Sequence, residues 1–182
     1  MIVKVQIIYA SQTGCTEKVA RAIYDGLQGV EKSIHDLGDG IPELDGDILL
    51  LGYWVIRGGP CQQVREFLET VRGKAVGVFC TLGYYCDTRY ANSTLETGID
   101  LLKENNEILG GFVCTGAVAG KLKQDQGKEE NVLPTEQKEI RWEIGADHPT
   151  AAECNLAAER FRERVYLYSR CRELGIPFTP II

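Results

Sequence analysis

The sequence predicts an open α/β sandwich: a doubly wound, five-stranded parallel sheet of order 2-1-3-4-5 with helices on both faces. Three observations carry this. Five short apolar runs punctuate the chain, four of them nearly continuous rather than alternating, as strands covered on both faces must be. Helical patterns fall between the runs, so successive strands are joined by right-handed crossovers. Five strands are too few for an eight-stranded barrel, and in a sheet of this order the ligand crevice lies beyond the carboxyl ends of strands 1, 3 and 4.

Taken in order, the first strand runs from Val3 to Tyr9, and the helix after it repeats Val19, Ile23 and Leu27 every four residues. Strand 2 is Ser33 to Leu37 and strand 3 is Asp47 to Trp54, followed by a helix with Val64, Phe67, Leu68 and Val71 on one face. Strand 4, Lys74 to Thr81, precedes a helix marked by Leu95, Ile99 and Leu102, and strand 5 is Ile108 to Thr115. A last helix is expected from Pro149 to Leu174, with Cys154, Ala158, Phe161, Val165 and Tyr168 as its stripe, Pro149 in its first turn and Gly175 at its end. Residues 117–148 fit the alternation poorly, being long and charged for a connection. Within them Thr135 to Ile144 suits a short helix with Ile140 and Ile144 one turn apart. No internal repeat or low-complexity tract appears, and the 182 residues are expected to form one domain with that charged segment inserted before the last helix.

Composition narrows the function. At 44% hydrophobic and 25% charged residues the chain lies in the globular range. The longest apolar run, Ile48 to Ile56, is about half of what a bilayer crossing needs, and "MIVKVQIIY" reads as a strand rather than an export signal. A cytoplasmic protein without a membrane partner is expected. Seven scattered cysteines with no Cys-x-x-Cys pair and only two His argue for reduced, buried thiols and no metal centre. A net charge of −6 disfavours a nucleic-acid partner and favours docking against a basic face.

The chemistry is expected in three loops. Ser11-Gln12-Thr13-Gly14-Cys15-Thr16 stands where strand 1 hands over to its helix, where backbone N–H groups and the positive helix end point at the crevice. Ser11, Thr13 and Thr16 add hydroxyl donors, and Gly14 lets the backbone wrap closely. With no Lys or Arg in the loop, an anion is met by neutral dipoles, which suits the terminal phosphomonoester of a bound cofactor. Simple helix capping is the alternative. Neither G-x-x-x-x-G-K-[ST] nor G-x-G-x-x-G occurs, so triphosphatase and dinucleotide chemistry are disfavoured. Response-regulator chemistry lacks its acids, because Ala10 and Trp54 stand at those strand ends.

S-x-T-G-x-T after an apolar first strand resembles the phosphate loop of the flavodoxins. "GYWVIRGG" after strand 3 and "TLGYYCD" after strand 4 resemble that family's two flavin loops. The similarity is closest to single-domain flavodoxin-like proteins of anaerobic bacteria, some of which are associated with bilin reduction. It implies an FMN site with Trp54 or Tyr53 as one aromatic wall and Tyr85 or Tyr84 as the other. It also implies backbone carbonyls of Val55, Ile56 or Arg57 near the flavin, with Gly58-Gly59 permitting peptide rotation, and N–H groups of Leu82, Gly83 and Tyr84, after Thr81, at its pyrimidine edge. Asp87 faces that edge or caps the following helix. The extra residues here follow strand 5 instead of interrupting it, and the second loop lacks the family's acidic G-D-x-x-Y pattern.

Aromatic walls and net negative charge disfavour an anionic reduced flavin, making the couple more reducing. No side-chain acid or base is required, so no catalytic residue is assigned. The expected function is an FMN-dependent electron carrier between a reductase and partner enzymes. The alternative is a reductase acting directly on a quinone or bilin-like molecule, with residues 117–148 over the flavin. A cofactor-free binding module is a third reading. Cys80 and Cys86 flank the second flavin loop, where buried filler is favoured over a redox pair. His148 reads as a capping or surface residue, and Trp142 as a lid, a homodimer contact or a partner contact.

Overall fold

The computed structural model describes residues 3–118, 120 and 135–179. Residues 119 and 121–134 of the charged segment lie outside the described residues, as do both chain ends. Among the described residues six strands form: β1 (Lys4–Tyr9), β2 (Glu31–Asp36), β3 (Ile48–Ile56), the two-residue β4 (Gly59–Pro60), β5 (Ala75–Leu82) and β6 (Glu107–Thr115). The main sheet is parallel with order β2-β1-β3-β5-β6, and β4 is an antiparallel arm on β3. Setting the arm aside, this is the expected order.

The central strands sort their side chains with period two because each is covered on both faces. Val5, Ile7 and Tyr9 of β1, Ile48 and Leu50 of β3, and Phe79 of β5 face a cluster with α1 (Cys15–Gly26) and α5 (Ala151–Leu174). Ile8, Leu49, Leu51, Tyr53, Val76 and Val78 face the opposite cluster with α2 (Gln62–Leu68) and α3 (Arg89–Asp100). β2 is an edge strand without a fully buried residue.

Phe161 is the main anchor of α5: it is fully buried and meets Phe79 edge-on, with centroids 5.9 Å apart. Gly77 makes room for it, since a Cβ there would lie 2.6 Å from the Phe161 ring.

The remaining helix of the charged segment, α4 (Thr135–Ile144), has the expected span but the opposite inner face. Ile140 and Ile144 are exposed, whereas Lys138, Arg141 and Trp142 are buried. Two isoleucines alone are a weak periodic signal, and the arginine stem and indole offer the larger apolar surface to the body of the protein. A 3-10 turn (Gly145–Asp147) and a cis His148–Pro149 bond lead into α5. Pro149 therefore precedes the helix instead of occupying its first turn. Thr150 is the N-cap in a reciprocal capping box with Glu153, and Gly175 ends the helix in the left-handed region.

Candidate functional site

The carboxyl ends of β1, β3, β5 and β6 converge on a crevice lined by Gln12, Thr13, Trp54, Thr81, Gly83 and Gly116, among others. A cleft of about 400 Å³ lies elsewhere, at the amino end of β1 between Val3, Gln28–Val30 and the α5 residues Arg162, Glu163, Val165 and Tyr166. It carries none of the loop residues singled out by sequence.

The loop from Ser11 to Gly14 delivers the chain into α1. Gly14 is the N-cap with φ 84°, a conformation that favours glycine, and no side chain caps the helix. The first-turn N–H groups are thus left without a side-chain acceptor of the kind that Ser, Thr or Asp usually supplies. Ser11 Oγ is buried and has no hydrogen-bond partner among the described residues. Gln12 and Thr13 are exposed at the rim. The Thr13 hydroxyl lies 3.1 Å from Cys15 Sγ and 3.4 Å from the Ala117 carbonyl.

Two residues of the loop, the expected donor Thr16 and its neighbour Cys15, turn inward. Thr16 is fully buried, and its Oγ1 lies 2.9 Å from Thr81 Oγ1, itself buried. The rotation of α1 about its axis, set by packing Val19 and Ile23 on the sheet, aims Thr16 at β5 instead of outward. Cys15 is also buried: its Sγ accepts from the Ala117 N–H at 3.2 Å and lies 3.5 Å from the His148 carbonyl. The first loop is thereby tied to the chain leaving β6, which sequence reading missed because those partners are over a hundred residues apart.

After β3, the two aromatics part: Trp54 stands at the crevice and Tyr53 in the core. Tyr53 is fully buried, its hydroxyl donates to the Thr94 carbonyl at 2.7 Å, and a Cβ on Gly98 of α3 would collide with its ring. It belongs to the core under α3. Trp54 is half-buried and lines the crevice, followed by half-buried Val55 and Ile56. Arg57 and Gly58, at φ 49° and 84°, make the tight turn that pairs Val55 with Pro60 and Ile56 with Gly59. Arg57 is exposed, and the turn residues are Arg57-Gly58 rather than Gly58-Gly59, because Gly59 is buried against Thr97 and paired in the arm.

After β5, Leu82 is buried and its carbonyl accepts from the Gly116 N–H at 2.9 Å. The Tyr84 carbonyl accepts from Thr115 Oγ1 at 3.0 Å, pinning the loop to β6. Tyr84 packs edge-on against Tyr90, and the Arg141 guanidinium lies 3.7 Å over its ring. Tyr85 is 52% exposed. Of the two tyrosines, Tyr85 is the more exposed. Val118 packs on Gly83, where an added Cβ would strike it. Asp87 is exposed, and the cap of α3 is Thr88, whose Oγ1 accepts from the Ala91 N–H at 3.2 Å.

All seven cysteines are free, and burial pushes the Cys80 thiol up to about 12, far from thiolate chemistry. His148 is half-buried and does not cap the helix, which Thr150 does; its Nδ1 lies 2.7 Å from Glu153 Oε2 beside the capping box. Trp142 faces inward near Tyr84 and Tyr85. Among the described residues no cluster of potential metal ligands occurs, and no helix is long and apolar enough to cross a membrane.

A family model described as a flavodoxin domain matches residues 6–162. The flavodoxin-like domain-containing protein BilS of Clostridioides difficile (strain CD3) is 35% identical over 142 residues, spanning 76% of this chain and 80% of that protein. Among solved structures, oxidised flavodoxin 2 of Bacillus cereus superposes with a TM-score of 0.59 at 19% identity, covering 88% of this chain and 99% of that one. Fusobacterium nucleatum flavodoxin, solved with flavin mononucleotide bound, gives 0.54 at 15% identity over 93% and 98%. At such identities the structural likeness speaks of the fold.

Proposed function

The chain belongs to the flavodoxin family, and on that premise we propose that it binds FMN in the crevice and carries electrons between a reductase and partner proteins. The observation that carries the cofactor is the state of the first loop. An orphaned, buried Ser11 hydroxyl stands beside a helix N-terminus that no side chain caps, and a phosphate group supplies the acceptor oxygens both lack. The residues present therefore fit FMN. The solved relative from Fusobacterium nucleatum holds the same cofactor on the same fold.

The placement of the loop residues supports the following roles. Ser11, Thr13 and the N–H groups from Gly14 onward hold the phosphate. Cys15, Thr16 and Thr81 fix the loop from beneath, Thr16 and Thr81 through their mutual hydrogen bond. Trp54, with Val55 and Ile56, and Tyr85 provide the apolar walls that exclude water. Backbone groups of Leu82, Gly83 and Tyr84 line the polar edge, held in place by Gly116 and Thr115. FMN supplies the redox chemistry, accepting and releasing electrons one or two at a time.

A carrier needs an accessible cofactor edge, and exposed Tyr85 supports one on this side. The net charge of −6 suits partners with a basic docking face. The second reading, a reductase acting directly on a small conjugated molecule, is favoured by α4, which lays Arg141 and Trp142 against Tyr84 and Tyr85 where a substrate would be covered.

Visible absorption spectra of the purified protein with added FMN, followed during stepwise reduction, test the proposal. Stoichiometric uptake and a stable one-electron-reduced species are expected. A colourless protein that takes up no FMN overturns the cofactor. Turnover of a quinone or bilin with a nicotinamide donor, without an added reductase, overturns the carrier in favour of the second reading.

A further inference from the structure

Arg141 is 8% exposed, yet among the described residues its Nε and Nη2 have no hydrogen-bond partner and no carboxylate pairs with it. Its guanidinium lies over the Tyr84 ring, with Cζ 3.7 Å from the centroid. Burial pulls its pKa below the ordinary arginine value, and Tyr84 and Tyr85 oppose that shift. In a chain with 26 acidic and 20 basic residues an arginine has acids to choose from, so an unpaired buried one is a cost that some function offsets. A cavity of about 60 Å³ adjoins it, lined by Tyr85, Thr115, Trp142 and His148 and sharing Gly83, Gly116 and Val118 with the crevice. That space takes the edge of a ligand, not a second whole molecule.

The chemistry of the free edge narrows the ligand. Nε and Nη2 are the two donors of one guanidinium flank, a fork that matches two neighbouring acceptors in a plane. The pyrimidine edge of a flavin offers such a pair in N1 and the C2 carbonyl oxygen. It is neutral when oxidised, and N1 and the C2 oxygen share the negative charge of the fully reduced form near neutral pH.

We infer that Arg141 is the counter-charge for fully reduced FMN, delivered by α4 to the Gly83–Tyr84 side of the crevice. This rests on the FMN reading above and deepens it. The aromatic walls and the net charge of −6 resist an anion, and Arg141 offsets them at the atoms where the charge gathers. A single positive charge in a desolvated site outweighs several solvated negative ones farther away, because solvent and salt screen the latter. The protein is accordingly a less extreme reductant than its walls and acidity alone dictate. α4 is a tuning element as well as a cover.

The test uses the full-length protein loaded with FMN. Arg141→Gln and Arg141→Met remove the charge, Met keeping the apolar stem that packs on Tyr84, and Arg141→Lys keeps the charge. Both neutral variants are expected to weaken fully reduced FMN far more than oxidised FMN. They lose about tenfold in affinity for fully reduced FMN, read as a fall of about 59 mV in the second one-electron couple. Arg141→Lys restores most of that loss. Unchanged potentials in the neutral variants with FMN bound normally overturn the inference and leave Arg141 as a strut for α4. Equal weakening of oxidised and reduced FMN overturns it too. A parent protein that takes up no FMN instead overturns the cofactor reading on which the inference stands.

Discussion

Thr16 Oγ1 and Thr81 Oγ1 lie 2.9 Å apart with both residues closed to solvent, so a single hydroxyl pair ties the first turn of α1 to the carboxyl end of β5 at the floor of the crevice. Replacing one hydroxyl leaves the other buried without its partner. Thr16→Val or Thr81→Val alone is expected to cost about 1–3 kcal/mol of unfolding free energy. The double substitution, which leaves no orphan, should cost clearly less than the sum of the two. Urea unfolding of the four proteins measures the coupling; strict additivity would mean that the two hydroxyls act independently.

The aromatic positions separate cofactor contacts from core packing. Trp54 lines the crevice and Tyr85 the adjoining cavity, and on the proposed FMN site Trp54→Ala and Tyr85→Ala are expected to weaken FMN binding by about tenfold or more each, consistent with the loss of aromatic contact and its apolar area. Tyr53→Phe removes only the hydroxyl bonded to the Thr94 carbonyl and should cost about 1 kcal/mol in stability while leaving FMN affinity unchanged. Fluorescence titration of apoprotein with FMN, beside thermal unfolding, distinguishes the two classes.

Why the fold was legible and parts of the site were not follows from the range of the interactions involved. The runs around Ile7, Leu50 and Val78 announce strands buried on both faces, and Val19 and Ile23 a helix that covers them, because burial period is a local property of sequence. The span of α4 was local too. Its orientation was not: Arg141 is buried because Tyr84, far away in sequence, offers a flat face to its guanidinium. The arginine beside Trp142 was the sole hint. Thr16 was expected to reach outward because first-turn hydroxyls often do, but the rotation of α1 is set by tertiary packing. Likewise Asp87 and Thr88 are both good caps by type, and only the backbone geometry selects Thr88.

Burial of Cys80 has a consequence at high pH. The thiol rises from its ordinary 9.0 to about 12, and burial also raises Cys114 and Tyr53. The folded state then holds its proton more tightly than the unfolded state, so the stabilisation is complete below pH 9 and is lost as the pH climbs through 12. Each such group contributes a slope of up to about 1.4 kcal/mol per pH unit in that window. Unfolding free energies measured across it should fall, and Cys80→Ala should make the fall shallower. In the native protein at mildly alkaline pH, thiol reagents should spare Cys80 and react with it only after unfolding.

The entrance to α5 joins stability to the site. Glu153 Oε2 accepts from the Thr150 N–H at 2.7 Å and from its hydroxyl at 2.9 Å and lies 2.7 Å from His148 Nδ1, while the Glu153 N–H donates back to Thr150 Oγ1 at 3.3 Å. The turn so fixed carries the His148 carbonyl, which accepts from the Ala117 N–H at 3.2 Å and so holds the chain leaving β6 beside Cys15. Thr150→Ala removes the cap and is expected to cost about 1 kcal/mol. Thr150→Ser keeps the oxygen, and because Ser ranks at or above Thr as an N-cap it should leave stability essentially unchanged. Because the uncapped turn also loosens residues 116–118 over the crevice, amide hydrogen exchange should accelerate at Ala117 in Thr150→Ala and not in Thr150→Ser. Loss of stability with exchange at Ala117 unchanged would show that the cap serves α5 alone.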